Sequence, residues 1–557
     1  DNQRVFSDGI CPRFWRWTTG PVRPSGGALA SYTRPMGTVY GAALVVVAVL
    51  LLSLLSMWLW GEFARRAQGA PSEALPPRPN QTPLDRLLAG WDERLAGASG
   101  AALIAHNLDA FVWRALAARQ AGRSLDVQYY IWRDDLTGRL LKETLIAAAE
   151  RGVRVRMLID DLNGARRDDV LLAMDALPNL EVRVFNPARN RETALRRALE
   201  MALRLVSVNR RMHNKAWIAD NRLALVGGRN IGDEYFGVSE ETNFHDADLL
   251  LVGDGVRQAS RIFDQFWNSA EVIPLRALHR VRPDLGMLVG ARAAWREQAR
   301  DSALVGALAQ EASMLEALRP QAGWLHRVED LRVLSDPPQK AAALNPRRAP
   351  ERWLMYDVLA MLFSARREVR VISPYFVPGS AGLLLFAGQA ARGVDVGIMT
   401  NSLAATDVPV VHAGYMRWRK PLLQAGIRLW EMRPAPAEVV SARSPRRPAS
   451  RASLHTKSFV IDGERGFVGS FNFDPRSAYL NTEMGVMFTH AALAQELRSL
   501  FDAAARATDS YRLFLEEGAL RWHDGVDGRR WSVEPEAGWT LRARTRLLSW
   551  LPIESQL

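Results

Sequence analysis

The strongest constraint on this chain is a cluster of residues that it carries twice. His213, Lys215, Asp220, Gly227 and Asn230 recur at identical spacing as His455, Lys457, Asp462, Gly469 and Asn472. With nine His and five Lys (142, 215, 340, 420 and 457) in 557 residues, one HxKx4D arises by chance roughly 0.005 times. Two of those five lysines hold the matched positions in a chain whose other basic residues are nearly all Arg.

Each cluster follows the same lead-in. The first copy reads as a strand at Leu125 to Trp132, a helix over Gly138 to Gly152, and a second strand from Val153. The second copy repeats this with a strand at Val369 to Val377, a helix ending at Gly393, and then VDVGIMTN. Gly suits the left-handed residue that closes a helix. From that Gly to the His is 61 residues in one copy (152 to 213) and 62 in the other (393 to 455). Strand, helix, strand units imply parallel pairing with helices packed on the sheet, so the reading is α/β: two similar lobes, each a mostly parallel or mixed sheet flanked by helices. The length accommodates two lobes plus extra segments, and 48% hydrophobic with 24% charged residues excludes a disordered or disulfide-rich chain. A single cysteine, Cys11, excludes an internal disulfide and a cysteine-based zinc site. The net charge, 72 − 60 = +12, favours anionic partners such as phospholipid surfaces, nucleic acid or phosphate-bearing substrates.

Between Arg34 and Glu62 lie 27 residues without a formal charge. As a helix, Val39 to Trp60 would be about 33 Å long, enough to cross a bilayer core. A cleaved signal peptide starting at Met36 and cut near Ala67 to Gly69 is the rival. The apolar run exceeds the length usual for signals, and Trp58 and Trp60 suit an interfacial belt. Arg4, Arg13, Arg16, Arg23 and Arg34 precede the span and only Arg65 and Arg66 follow closely, which predicts a cytoplasmic N-terminus and a periplasmic body. A chain starting at Met36 would lack those arginines and reverse the bias. The Pro-rich Pro71 to Pro83 reads as a semi-rigid tether. The expected organisation is therefore a tail at 1–38, a span at 39–61, a tether and lead-in at 62–100, lobes at 101–330 and 331–515, and an interfacial C-terminal segment at 516–557.

In an extended strand, residues i and i+2 face one side, so the His and Lys of each HxK are expected to project together. Lys215 and Lys457 would bind phosphate oxygens as point charges, with amide donors from Asn230 and Asn472. A neutral imidazole can attack phosphorus and a protonated one can protonate a leaving alkoxide, so His213 and His455 together would complete an in-line displacement. Each ring needs a carboxylate on its other nitrogen. Asp248, 35 residues after His213, and Glu483, 28 after His455, are the candidates. Asp220 and Asp462, each before a turn, read as turn-tying residues. No Asp, Glu or His set has divalent-metal spacing.

The duplicated HxKx4D with its Gly and Asn resembles the signature of the phospholipase D superfamily. The likeness extends over most of Ala101 to Thr508. It is closest to bacterial cardiolipin synthases of the C type, through DVQYYIWRDDLTGRLL, NRRMHNK, GGRNIGDEYF, TNSLAATD, GSFNFDPRSAYLNTEMG and the terminal LPIE. The resemblance implies one active site at the interface of two phospholipase D-like lobes and a covalent phosphohistidine. It implies no metal or other cofactor, and cardiolipin formed from phosphatidylglycerol and a second phospholipid, phosphatidylethanolamine being one choice. The long apolar N-terminal segment departs from the usual C-type picture and implies attachment to the bacterial cytoplasmic membrane. By analogy with several superfamily members, His213 is expected to be the nucleophile and His455 the general acid, with the swapped assignment as the alternative.

Two other functions compete. One is a phosphodiesterase of the same superfamily acting on lipid or nucleic acid with water, which differs only in the acceptor that resolves the intermediate; the nearby membrane span favours lipid. The other is a noncatalytic lipid-binding relic, against which both copies retain His, Lys and Asn. Three further segments stand out. Arg196, Arg197, Arg204, Arg210 and Arg211 surround an apolar stripe of Leu195, Leu199, Ala202 and Val206, which suits a lipid surface or packing on its own lobe. Ser441 to Arg451 is a basic loop ahead of His455. Trp539 to Leu551 mixes Arg with Leu and Trp and suits interfacial contact or packing on the first lobe.

Overall fold

A computed structural model describes residues 36–163, 168–191, 193–280, 283–341, 353–434, 451–551 and 554–556. The tail up to Pro35 and the basic stretch from Ser441 to Ser450 lie outside the described residues. The chain divides into two compact units, Asp1–Ser53 and Leu54–Leu557. The apolar run forms helix α1, Met36–Ala67, which is longer at both ends than the expected 39–61. Among the described residues it is the one helix long and apolar enough to cross a membrane, and side chains such as Leu44, Val47 and Leu51 are exposed.

The Pro-rich stretch, read from the sequence as a semi-rigid tether, begins docked on the first lobe. Ser72 N–H donates to Asn268 and Ala74 N–H to Asp264, while Arg156 donates to the Ser72 carbonyl. The lead-in continues as a helix, Pro83–Leu95, started by a reciprocal capping box between Thr82 and Asp85, and its Leu84, Leu88, Trp91 and Leu95 are buried.

The first lobe contains, in chain order, β1 Ser99–Ile104, β2 Ser124–Tyr129, β3 Arg154–Asp160, β4 Leu180–Phe185, β5 Ala216–Ala219, β6 Leu223–Gly227, β7 Thr242–His245, β8 Asp248–Gly253, β9 Val272–Pro274 and β10 His326–Val328. All but β7 form one sheet in the order β10-β1-β8-β6-β5-β2-β3-β4-β9, parallel only across β2, β3 and β4. The second lobe contains β11 Asp330–Ser335, β12 Glu368–Ile372, β13 Asp395–Asn401, β14 Arg428–Met432, β15 Arg451–Leu454, β16 Ser458–Ile461, β17 Arg465–Gly469, β18 Met484–Thr489, β19 Ser510–Glu516, β20 Ala519–His523 and β21 Arg530–Trp531. Its sheet runs β11-β18-β17-β16-β12-β13-β14-β19-β20-β21, again parallel only across the three strands β12, β13 and β14. The strand order from β1 to β9 thus repeats from β11 to β19. Each sheet is mixed and largely antiparallel, because every strand after the third parallel one returns by a hairpin or an edge. Residues 519–531 extend the second sheet, so the expected C-terminal segment 516–557 is in part a continuation of that lobe.

The motif glycines have a steric cause. A Cβ on Gly227 would stand 2.5 Å from Asp248 Cα, and one on Gly469 would stand 2.6 Å from Gly485 Cα, both closer than real Cβ contacts. Gly152 and Gly393 close their helices at φ +89 and +82, values that L side chains rarely adopt.

One apolar cluster draws on both sheets, joining Val226, Leu249 and Leu251 to Val460, Val468 and Val486. Burying one such side chain is worth about 1.5–3 kcal/mol, so six of them rival the net stability of a whole domain and hold the lobes as one body. Between the lobes β15 pairs in parallel with β7, Arg451 to Leu454 against Thr242 to His245. That two-stranded ribbon delivers His455.

Candidate active site

Each HxK lies immediately before a short strand rather than inside one: His213 and Lys215 precede β5, and His455 and Lys457 precede β16. Their backbone is anchored on the opposite lobe instead of in their own sheet. His213 N–H donates to the Thr482 carbonyl, and Thr482 N–H returns a bond to Arg211 O. On the other side, His455 and Thr456 N–H both donate to the His245 carbonyl. In each case the accepting residue immediately precedes a carboxylate that reaches the histidine ring. His213 Nδ1 lies 2.8 Å from Glu483 Oε2, and His455 Nδ1 lies 2.5 Å from Asp246 Oδ2. The orienting carboxylates are exchanged: each lobe supports the other lobe's histidine. With the carboxylate ionised, Nδ1–H donates to it and Nε2 keeps its lone pair for chemistry.

Two sequence expectations change here. Glu483 orients His213, not the His455 of its own copy. Asp248 orients neither ring. It is fully buried and binds Arg114 Nη2 at 2.9 Å and Arg229 Nη1 at 3.2 Å, an ion-pair cluster inside the first lobe. Asp246, two residues earlier, was missed. The sheets contained the signal: Gly227 pairs with Asp248 where Gly469 pairs with Gly485, so two residues back Asp246 corresponds to Glu483.

The lysines fold over their own histidines, Lys215 Nζ donating to His213 O and Lys457 Nζ to His455 O, each at 2.6 Å. Aromatic edges complete the walls. Tyr130 meets the His213 ring at 4.8 Å and Tyr235 meets the His455 ring at 5.0 Å. Asn230 is occupied in the framework, accepting from Ile131 N–H and donating to the Tyr235 hydroxyl. Asn472 differs: its Oδ1 is buried with no partner among the described residues. Asp220 and Asp462 stand away from the rings. Asp220 accepts from the N–H groups of Gly122, Arg123 and Ser124, and Asp462 from those of Arg366, Arg367 and Glu368, each at a left-handed φ in a turn. They tie the entry of β2 and β12 to the hairpins that follow the motifs.

Burial dominates the electrostatics. It drives His213 well below the ordinary imidazole value, with the Lys215 and Lys457 charges adding to it. It takes His455 down to about 4, with Lys457 adding and Asp246 opposing. Both rings are therefore held neutral. Burial also lowers Lys457 to about 8 and Lys215 well below the ordinary ammonium value. Lys457 acts on both His213 and Lys215, so the two motifs share one site. The two carboxylates are unequal. Burial pushes Glu483 up to about 7. For Asp246 the same burial is outweighed by His455, Lys457 and Arg229, and its carboxyl is held below the usual value. A buried pocket with two neutral imidazoles and two ammonium groups is built to receive a phosphate anion, which would return to the lysines the stabilisation that burial removed. Among the described residues no group of three or more His, Cys, Asp or Glu side chains is placed to hold a metal ion.

Comparison with known proteins agrees with this geometry. The family model described as cardiolipin synthase, phospholipase D-like domain, matches twice, at residues 117–267 and 358–505, one match over each motif. Cardiolipin synthase C of Escherichia coli (strain K12) is 40% identical over 462 residues, covering 80% of this chain and 94% of that protein. A cardiolipin synthase of Geobacillus kaustophilus is 27% identical over 74% of this chain and 67% of its own length. Among solved structures, phosphatidylserine synthase from Haemophilus influenzae superposes with a TM-score of 0.51 at 13% identity, covering 85% of this chain and all of that one, and shares the fold. With the family model over both motifs and that identity over most of its length, the chain belongs to the phospholipase D-like cardiolipin synthase family of phosphatidyltransferase enzymes.

Proposed function

We propose that this phospholipid synthase makes cardiolipin by phosphatidyl transfer through a phosphohistidine on His213. Neutral His213 Nε2 attacks the phosphorus of a donor phospholipid, and the bond from phosphorus to the headgroup oxygen breaks. His455, protonated as the anionic substrate offsets the lysine charges, gives its Nε2 proton to that oxygen. A hydroxyl of phosphatidylglycerol then gives its proton back to His455 and attacks the phosphorus, releasing His213. Lys215 and Lys457 hold the nonbridging oxygens, and the unpartnered Asn472 Oδ1 can accept from a hydroxyl or ammonium donor of a bound headgroup. Because cardiolipin carries two phosphatidyl groups on one glycerol, the acceptor is phosphatidylglycerol. The donor is a second phosphatidylglycerol or phosphatidylethanolamine.

The observation that supports the role assignment is the inequality of the crossed contacts: His455 Nδ1 lies 2.5 Å from Asp246, and His213 Nδ1 lies 2.8 Å from Glu483. Consistent with it, the Asp246 carboxyl is held below its usual value and favours an imidazolium on His455, whereas burial pushes Glu483 up and leaves His213 neutral and nucleophilic. Purified protein in phosphatidylglycerol vesicles, with and without phosphatidylethanolamine, should form cardiolipin and release glycerol or ethanolamine. Phosphatidic acid as the sole lipid product would favour the hydrolytic reading instead.

The protein is membrane-associated, and we infer a single span by α1 in the bacterial cytoplasmic membrane, with the body on the periplasmic side. The exposed Leu195, Leu199 and Leu205 support lipid contact by the first lobe as well, because a helix packed on its own lobe would bury them. A C-terminal fusion to alkaline phosphatase should be active; a bright cytoplasmic fluorescent fusion with an inactive phosphatase fusion would reverse the orientation.

A further inference from the structure

The segment TNSLAATD runs off the carboxyl end of β13, the end of an α/β sheet at which ligands bind. It brings the exposed Asp407 within electrostatic reach of His455 and Lys457. The loop is built by its own side chains, Asn401 clamping Leu454 through both amide ends just before His455, and Ser402 accepting from Ala405 N–H. Asp407 Oδ2 accepts the Tyr375 hydroxyl at 2.8 Å. Tyr375 is itself fixed next to the second motif: its carbonyl accepts the Ser373 hydroxyl, whose oxygen accepts Phe473 N–H. Among the described residues no guanidinium or ammonium pairs with Asp407, although it is exposed in an Arg-rich chain. The carboxylate lies close enough to act electrostatically on His455, Lys457 and Tyr235. Burial and Asp407 together push the Tyr375 phenol well above its ordinary value, so it remains a hydrogen-bond donor.

The two halves of the site differ in their outlying charges. Around Tyr130 and His213 these are Asp160, paired with Arg211, and Arg476, pinned by Asn209 and the Gln556 carbonyl. Around His455 and Lys457 they are the carboxylates of Asp407 and Asp474. A transferable phosphatidyl group is anionic, while the headgroup that leaves it carries hydroxyls or an ammonium.

We propose that Asp407, held by Tyr375, is the headgroup-recognition residue of this site, binding the hydroxyl or ammonium donors of the headgroup expelled on the His455 side. This rests on the phosphatidyl transfer proposed above, in which His455 protonates that headgroup. It deepens that reading by assigning the donor-lipid preference to one side chain. An ethanolammonium needs the charge of Asp407. A glycerol needs only an acceptor oxygen, which Asn would retain.

The test is a competition. Full-length wild-type, D407N and Y375F proteins are given vesicles of equal phosphatidylethanolamine and phosphatidylglycerol, and released ethanolamine and glycerol are quantified, with thermal unfolding checked in parallel. D407N should lower the ethanolamine-to-glycerol ratio by about two- to fivefold, the scale of one partly exposed ion pair, with unfolding unchanged. Y375F should move the ratio the same way by less. An unchanged ratio in D407N, or equal loss of both headgroups, overturns the assignment. Headgroup is released whether water or lipid resolves the intermediate, so the ratio remains decisive if wild type yields phosphatidic acid instead of cardiolipin; that outcome would sink the transferase reading alone.

Discussion

Replacing Glu483 by Gln tests the exchanged carboxylates most directly. The substitution keeps an oxygen that can accept from His213 Nδ1 at the 2.8 Å seen here and removes only the charge. That charge matters when His213 becomes a cationic N-phosphoryl imidazolium, because Nδ1–H then donates to a carboxylate in a pocket where both side chains are nearly or wholly buried. A hydrogen bond to a charged group is worth about 1.5–3 kcal/mol, so E483Q should slow turnover about ten- to 150-fold. E483A should do worse, by about three to four orders of magnitude, since the ring loses its orientation and tautomer and the Ser470 hydroxyl loses its acceptor. Initial rates with labelled phosphatidylglycerol give the first number. A donor lipid with a p-nitrophenyl headgroup separates the roles, because an acidic leaving group needs no proton. With it, D246N and H455A should still load phosphatidyl on His213, whereas E483Q should load slowly and H213A not at all. Wild-type rates in E483Q, or rescue of E483Q but not D246N by the activated lipid, would refute the crossed assignment or swap the two histidines.

The other expectations are as concrete. In a pH series, His213 must be neutral to attack, and its value lies below the ordinary one, so the acid limb of kcat/KM should fall below pH 6.5. On the alkaline side activity should fall as His455 loses the proton it must donate and, through about pH 8, as Lys457 loses its charge, and an acid limb above pH 7 would contradict the burial argument. K215R should lose activity at least tenfold, because a planar fork replaces a point charge in a site where Lys215 is 1% exposed; equal activity would mean that its pocket is roomier than the structure shows. D248A should lower stability by about 3–5 kcal/mol, leaving Arg114 and Arg229 buried and unpaired, with the loss read in chemical denaturation. A selective loss of turnover without destabilisation would restore Asp248 as an orienting residue.

Much of the fold is legible because it occurs twice. Leu125 to Trp132 and Val369 to Val377 read as strands on apolar, β-branched and aromatic content, and the Gly that ends each following helix marks the return. What did not read through is the larger antiparallel share of each sheet. Strands such as Ala216–Ala219 and Ser458–Ile461 are four residues long and buried throughout, so they show no alternation by which pairing direction could be inferred. The same shortness explains why HxK was expected within a strand: the extended backbone that carries it is paired across the lobes, through Thr482 and His245, and such pairing has no periodic signature.

The site was half legible for a related reason. The His, Lys, Asn and Gly positions are local and repeat at fixed offsets, so comparing the copies isolates them. An orienting carboxylate is defined by what it touches, and proximity along the chain misleads when two homologous lobes dock face to face. Glu483 follows His455 by 28 residues yet serves His213, and Asp246 serves His455 from the first lobe. The exchange has a mechanical consequence. The backbone bonds from His213 to Thr482 and from His455 to His245 place each ring and its carboxylate by the same interlobe contact, so neither lobe holds a correctly oriented histidine by itself. The apolar cluster joining Val226, Leu249 and Leu251 to Val460, Val468 and Val486 therefore does more than stabilise the body. It sets the spacing on which both proton positions depend. A substitution there, remote from phosphate, should disturb both half-reactions together.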